Sequence, residues 1–254
     1  MKKCSVIKTF FRSLLLQAVW NFERMQNVGF LYSILPCLKD IYKADKNQLK
    51  NSVLRHFEFF NTHPYIANTI MAIIISLENE KNIDDNLKSQ HIKSLKLHLG
   101  GPLAAVGDTL FWARVRPLCA LIAIACFFGK DESLTNFATP FPPCIPAVIF
   151  LVLYNILHIF FRTFGFWIGL KYKTGLVKII SSFKFDKVSK VLQIIGLVIG
   201  VFVLLRYLML TEEYLLGLTV FGITFILIRN NISVTKVFCG LVIVSIILAY
   251  CQFL

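Results

Sequence analysis

Three polar side chains, Asn21, Glu23 and Gln26, interrupt the otherwise apolar string WNFERMQNVGFLYSILP of a very hydrophobic chain. Buried carboxylates and amides need partners, so polarity of this kind tends to persist where it binds something. Carboxylate and amide groups together accept the hydroxyl protons of a sugar and donate to its oxygens. Helical spacing would place them on adjoining faces of one helix. The alternative is a helix surface exposed to the cytoplasm that carries a Glu23–Arg24 pair.

A second polar group lies in RHFEFFNTHPYIA, where Asn61 and Thr62 stand just before Pro64. Their side-chain oxygens suit the start of a helix whose first turn contains the proline. Capping alone is one explanation of this pattern. A broken helix whose N-terminus faces a cavity would instead make Asn61 a ligand-binding candidate. We interpret His63 as a packed side chain rather than a ligand or phosphoryl carrier.

The third group is GGPLAAVGDTLFW, which contains Asp108. It lacks the spacing of a phosphate-binding loop or a dinucleotide-binding turn. Its glycines and proline predict a tight, non-helical turn at membrane depth, which is tolerable only where it lines a cavity or is buried in protein. Asp108 is therefore either a site residue or a structural cap.

Composition indicates a membrane protein. Hydrophobic residues make up 56% of the 254 residues, charged residues 16%, and the mean hydropathy is +0.67. The net charge of +13 is spread along loops, which favours anionic lipid headgroups over nucleic acid as its partner. The seven cysteines show no CxxC spacing and the histidines no metal-like spacing, so we expect free thiols, no metal and no cofactor.

The pattern along the chain predicts an all-α, polytopic membrane protein with N-terminal amphipathic and re-entrant helices followed by transmembrane helices. We expect a boundary near residue 113, with residues 1–113 carrying the polar motifs and residues 114–254 crossing the membrane. The N-terminus reads as a basic amphipathic helix in the membrane interface, with an apolar side formed by Ile7, Phe10, Phe11, Leu14, Leu15 and Ala18. The run PYIANTIMAIIISL is too short to span the bilayer, which suggests a re-entrant or broken helix. Asp84 and Asp85 suit a helix N-terminus.

Five apolar segments follow: Leu118–Gly129, Ala147–Gly169, Val191–Leu210, Tyr214–Ile228 and Val237–Leu254. The second, third and last have spanning length. The lysine-rich loop Lys171–Lys190 is expected in the cytoplasm, together with Arg229 and Lys236. Asp131–Glu132 and Thr211–Glu213 are expected outside, which gives a cytoplasmic N-terminus and an external C-terminus.

With these motifs in view, the chain resembles the D subunit (IID) of mannose-family phosphotransferase-system (PTS) permeases of bacteria. The resemblance runs in order over about residues 12–180, through WNFERMQNVGFLYSILP, RHFEFFNTHPYIA, LENEK, GGPLAAVGDTLFWARVRP and GLKYKTGLVKII. It implies a subunit of the bacterial plasma membrane and no enzymatic activity of its own. The substrate-binding residues that it implies are Asn21, Glu23, Gln26, Asn61 and Asp108. Two features depart from the family pattern: Ala105 stands where a glycine is expected, and Leu210 passes to Tyr214 with little polar sequence between.

The resemblance also implies partners. A IIC membrane subunit would complete the path of a hexose, IIA and IIB proteins would carry the phosphoryl group on histidines, and IIC–IID pairs would form a higher oligomer. The alternative is a non-transport membrane scaffold or a regulatory remnant of such a permease.

Overall fold

The computed structural model describes residues 2–80, 83–127, 142, 144–210 and 214–252. These residues form helices joined by turns and contain no β-strand, which confirms the all-α class. The α-helices are α1 (Lys3–Ser13), α2 (Asn27–Ile41), α3 (Lys46–His56), α4 (Ala67–Glu78), α5 (Asp85–Gly107), α6 (Arg116–Phe127), α7 (Cys144–Tyr172), α8 (Gly175–Ser182), α9 (Phe185–Leu210), α10 (Tyr214–Arg229) and α11 (Val234–Gln252). A π-helical segment, Asp108–Val115, joins α5 to α6.

The N-terminal helix α1 is amphipathic, but it ends at Ser13 and is followed by turns over residues 14–19. Its small and polar side, which includes Thr9 and Ser13, is buried. The apolar side chains of Phe11 and Leu14 are exposed. Helix α1 therefore leaves apolar side chains exposed next to its basic residues, which suits its expected position at a membrane surface.

The helix expected over Asn21–Gln26 is wrong. Helix α2 begins only at Asn27, and the preceding residues form a closed turn. Met25 has φ +55°, in the left-handed region, and a non-glycine residue in that region does not continue a right-handed helix.

Helix α4 forms the centre of the core, because all of its residues from Ala67 to Glu78 are buried. With 12 residues it is as short as its apolar run predicted. It packs closely against α7 through two glycines one turn apart on α7. A side chain at Gly165 would overlap the hydroxyl of Thr69, and a Cβ atom at Gly169 would lie 2.6 Å from that of Ala72.

The non-helical turn expected at GGPLAAVGD is also wrong, because Gly100, Gly101 and Pro102 lie inside α5. The helix continues through the π-helical segment, and Asp85–Cys126 is long and apolar enough to cross a membrane. A helix satisfies its own backbone hydrogen bonds, whereas a turn at membrane depth leaves them open, so helical structure is favoured there. The apolar segment expected to begin at Leu118 is the end of this longer helix.

Two further helices of the described chain have spanning length and composition, at Cys144–Tyr172 and Phe185–Arg206, as the sequence predicted. The charged positions expected outside the membrane, Asp131–Glu132 and Thr211–Glu213, lie outside the described residues.

Within the described residues, the chain divides into two compact units. The first contains α1 to α8 and the part of α9 up to Ile199, and the second begins at Gly200. In the second unit, α10 and α11 are joined by a short turn in which Asn231 has φ +61°. Residue 113, where the sequence suggested a boundary, lies in the π-helical segment of the first unit.

Candidate functional site

The first polar motif forms a turn that closes on itself. The backbone groups of Asn21 and Met25 exchange two hydrogen bonds, of 3.1 and 3.0 Å. The Asn21 carboxamide oxygen accepts a bond from the Arg24 backbone N–H at 2.7 Å, and its Nδ2 donates to the Asn27 side chain at 2.9 Å. Asn21 is therefore occupied in shaping the turn. It is half-buried, so part of it remains accessible.

Gln26 fixes this turn to the second polar motif. Its side-chain Nε2 donates to the Thr62 carbonyl at 2.8 Å, and its Oε1 accepts from the Thr62 backbone N–H at 3.1 Å. The Gln26 backbone N–H donates to the Phe60 carbonyl, and the Asn27 side chain donates to the Phe57 carbonyl, both at 2.9 Å. Gln26 is 2% exposed. The side-chain amide of Gln26 thus satisfies backbone hydrogen-bonding groups of Thr62, which lies in a buried segment outside any helix or sheet.

Thr62 in turn joins the second motif to the third. Its hydroxyl donates to the Gly100 carbonyl of α5 at 3.0 Å. A Cβ atom at Gly100 would lie 3.0 Å from the Asn61 carbonyl oxygen, so this close approach favours glycine. Farther along α5, Gly107 lies against the ring of His63, where a side chain would overlap the imidazole. The three motifs, distant in sequence, therefore meet in one region.

Glu23, Asn61 and Asp108 have exposed side chains. The Glu23 carboxylate is 79% exposed and lies 3.1 Å from Arg24 Nε. An exposed pair of this kind contributes about 0–1 kcal/mol, so the contact does not commit the carboxylate to a structural role. Asn61 belongs to the segment before α4, and Asp108 begins the π-helical segment.

A polar cleft of about 450 Å³ adjoins the turn. It is lined by Glu23, Arg24, Glu58, Phe59, Lys93, Lys96 and Leu97. Glu58 and Lys93 approach each other at 3.5 Å, and both are substantially exposed. Carboxylate acceptors and cationic donors that line one cleft match the mixed hydrogen-bonding needs of a hydroxyl-rich ligand.

His63 is buried in an aromatic cluster. Its ring stacks on Phe111, with centroids 5.2 Å apart and planes at 15°, and contacts Tyr65 and Trp112 edge-on. Burial, with a smaller effect from the nearby charge of Arg162, lowers the pKa of His63 to about 4. The imidazole is therefore neutral at pH 7. This agrees with its interpretation as a packed side chain.

Sequence reasoning missed a buried charged cluster centred on Glu78. The carboxylate lies 3.1 Å from Arg55 Nε and 2.7 Å from His56 Nε2. It also accepts hydrogen bonds from the hydroxyls of Ser52, at 3.3 Å, and Tyr42. The cluster joins Tyr42, which directly follows α2, to α3 and to the last residue of α4. In the sequence, this cluster is indicated only by an acidic residue, Glu78, at the end of an apolar helix. Its partners lie 22 to 36 positions away, so their spacing does not reveal the cluster.

The electrostatics of the cluster follow from its burial. Burial alone would raise the pKa of Glu78, but hydrogen bonds from His56 and Tyr42 and the charge of Arg55 outweigh it and lower the pKa to about 2. Burial lowers the pKa of His56 to about 4, so its ring is neutral at pH 7. Glu78 and Arg55 then form the ion pair, and His56 contributes a hydrogen bond. The described residues contain no group of three or more His, Cys, Asp or Glu side chains able to hold a metal.

Comparison with known proteins identifies the family of this chain. Residues 1–206 match the model of the IID component of the mannose/fructose/sorbose family of PTS systems. The mannose-specific EIID component of Escherichia coli K12 is 33% identical over 188 residues, which are 74% of this chain and 62% of that relative. The chain thus matches less than two thirds of the length of this relative.

Two solved structures resemble the fold. One, described as a membrane protein, superposes with a TM-score of 0.74 at 24% identity, over 98% of this chain and 97% of the other. The other comes from a cryo-EM structure of the mannose transporter ManYZ with microcin E492. It has a TM-score of 0.58 at 26% identity, over 99% of this chain and 97% of the other. Since the family model covers most of the sequence, the chain belongs to the IID component family of mannose/fructose/sorbose phosphotransferase systems.

Proposed function

We propose that this chain is the IID subunit of a mannose-family PTS permease, which takes up a hexose together with a IIC subunit. Membership of the IID family and the likeness to a chain of a mannose transporter complex support this proposal. The observation that carries it is the meeting of the three polar motifs, through Gln26, Thr62 and Gly100. Beside this junction, the exposed carboxylate of Glu23 lines a polar cleft that suits a hydroxyl-rich ligand.

The five candidate residues divide into two roles in this proposal. Glu23, Asn61 and Asp108 have exposed side chains and would bind the sugar hydroxyls directly. Asn21 and Gln26 would hold the turn so that Glu23 faces the pathway, since their amides already bond within the chain. Glu58 and Lys93 line the same cleft as Glu23 and would complete its polar surface.

The transport step would use two membrane subunits. The IIC and IID chains would enclose the hexose in a polar cavity and move it across the membrane by a rigid-body movement of one helix bundle against a scaffold. IIA and IIB proteins would then phosphorylate the sugar in the cytoplasm. The added charge would prevent the sugar from returning through an apolar barrier.

The proposed topology follows from charge. The lysine-rich stretch Lys171–Lys190 would lie in the cytoplasm with the N-terminus, and the C-terminus would lie outside a bacterial plasma membrane. Residues 1–113 would carry the sugar-binding motifs, and residues 114–254 would anchor the subunit in the membrane. Assembly into a higher oligomer of IIC–IID pairs belongs to the same proposal.

Labelled-hexose uptake tests the function. Cells without a mannose-type permease would receive IIA, IIB and IIC subunits, with or without this chain. We expect uptake and sugar phosphate only when the chain is present. A normally assembled complex that takes up none of mannose, fructose, sorbose or glucose would favour the non-transport scaffold instead.

A further inference from the structure

An apolar cavity of about 380 Å³ lies in the first unit, and none of the five candidate sugar-binding residues lines it. Its walls are almost entirely aromatic and aliphatic. They come from α4 with its preceding turn, α5, the π-helical segment, α7, α8 and the start of α9. Its volume falls in the range of about 300–1,000 Å³ that is usual for sites of small ligands. Tyr65 is one of its few polar members, and its hydroxyl bonds to that of Tyr154 at 2.9 Å.

The cavity reaches the adjoining ends of two helices of spanning length. Helix α7 ends at Tyr172 and α9 begins at Phe185, and both residues line the cavity. Both helices have spanning length, so these two adjoining ends lie at the same membrane surface. The short helix α8 connects them and contributes Leu176 and Ile180 to the cavity wall.

Exposed lysines flank, in sequence, the lining residues at this end of the cavity. Lys171 precedes the lining residue Tyr172, and Lys184 lies between the lining residues Phe183 and Phe185. Lys171, Lys184 and Lys187 are all exposed. Two acidic groups approach this region: Asp186 follows directly in sequence, and Glu80 lies 3.9 Å from Lys173. The stretch Lys171–Lys190 contains six lysines and one acidic residue, Asp186, so its net positive charge favours an anionic ligand.

We propose that this cavity binds an anionic phospholipid, with an acyl chain inside it and the phosphate headgroup on Lys171, Lys184 and Lys187. An apolar cavity that reaches a basic membrane surface matches the two ends of such a molecule. A sugar would leave its hydroxyls unpaired against these walls. A partner helix, about 10 Å in diameter, would fill the volume with about one turn or less.

Native mass spectrometry of the full-length chain in detergent tests the site, with phosphatidylglycerol and phosphatidylcholine of identical acyl chains as probes. We expect preferential retention of phosphatidylglycerol. The double variant Lys184→Glu, Lys187→Glu should weaken its binding by about tenfold or more, because it reverses the charge that attracts the headgroup. The double variant Lys46→Glu, Lys50→Glu on α3 makes the same change away from the cavity and should leave binding unchanged.

A second pair of variants tests the acyl-chain position. Ile180→Trp fills the cavity and should reduce phosphatidylglycerol occupancy, whereas Ile194→Trp, at a residue of α9 that is 61% exposed, should not. If Ile180→Trp fails to give a monodisperse protein, Ile179→Trp decides the question, because Ile179 lines the cavity and is 49% exposed.

Three results would overturn the proposal. Equal binding of the two lipids would remove the role of the lysines. Unchanged phosphatidylglycerol binding in a well-folded cavity-filling variant would place the acyl chain elsewhere. A cavity-filling variant that binds lipid normally but loses a co-expressed IIC subunit would assign the cavity to a protein interface.

Discussion

Replacing Glu78 with glutamine should destabilise the protein strongly. The carboxylate is buried, with its side chain 0% exposed, and it pairs with Arg55, whose side chain is 6% exposed. The amide keeps the shape of the carboxylate and can still accept the hydrogen bond from Tyr42, but it removes the negative charge. Among the described residues, Arg55 then retains only Asp85 as an anionic partner, and that carboxylate is 39% exposed.

Two routes give the size of the effect. Loss of one partner from a buried ion pair costs about 3–5 kcal/mol. Lowering the pKa of Glu78 from 4.5 to about 2 corresponds to about 3 kcal/mol in favour of the ionised, folded state. For a chain of 254 residues, a loss of about 3 kcal/mol lowers the melting temperature by roughly 6–12 °C. Because the folded pKa lies below the ordinary value, this contribution is fully present above pH 4.5 and is lost as the pH falls toward 2.

Thermal unfolding of the full-length chain in detergent, followed by intrinsic fluorescence at pH 7, measures this loss. Glu23→Gln is the matched control, since the same change at a side chain that is 79% exposed should alter stability by less than about 1 kcal/mol. The double variant Arg55→Met, Glu78→Gln removes both charges and should be more stable than Glu78→Gln alone. Equal melting temperatures for Glu78→Gln and Glu23→Gln would refute the reasoning. So would a double variant less stable than the single one.

Three further predictions concern the same region. Gly29→Ala should lower the free energy of unfolding by about 1–3 kcal/mol or prevent folding, because its methyl group would overlap the Leu16 carbonyl. Gly101→Ala, which has open space, should be neutral or stabilising. Melting temperatures compare the two variants. Gln26→Ala should lower the free energy of unfolding by about 1–3 kcal/mol, because the buried backbone N–H and C=O groups of Thr62 lose their Gln26 partners. Amide hydrogen exchange around Thr62 should become faster. Unchanged exchange would contradict this role of Gln26. Burial lowers the pKa of His56 to about 4, so the unfolded chain binds a proton at this histidine before the folded protein does, and stability should fall as the pH drops from 6.5 toward 4. His56→Gln should give a shallower dependence of the melting temperature on pH.

Among the described residues, hydropathy predicted two of the three helices of spanning length, Cys144–Tyr172 and Phe185–Arg206, but not Asp85–Cys126. The lengths of α7 and α9 and the short α4 followed from uninterrupted apolar runs, because a helix in lipid requires a minimum apolar length. Asp84 was correctly expected at a helix start: its carboxylate accepts bonds from the backbone N–H groups of Asn86 and Leu87. These features depend on residues close in sequence, which is why one sequence is enough to predict them.

Features that depend on distant partners were not predictable in this way. The turn before α2 is fixed to the rest of the fold by Gln26 bonding to Thr62, 36 positions away. The ion pair of Glu78 with Arg55 likewise joins two different helices. Pro102 and its neighbouring glycines suggested a break, but the requirement for internal hydrogen bonds in a membrane outweighs their low helix propensity.

Hexose uptake by the Glu23→Gln variant, measured together with the yield of its complex with a IIC subunit, tests the central claim most directly. A carboxylate that accepts sugar hydroxyls makes charge-assisted hydrogen bonds worth about 1.5–3 kcal/mol each, so the amide should weaken sugar affinity by about tenfold or more. Complex yield should stay normal, because the side chain is exposed and bonds only to Arg24 within the described chain. Reduced uptake with normal assembly is the predicted result. Unchanged uptake with normal assembly would show that Glu23 is a surface residue and that the turn is not the sugar site.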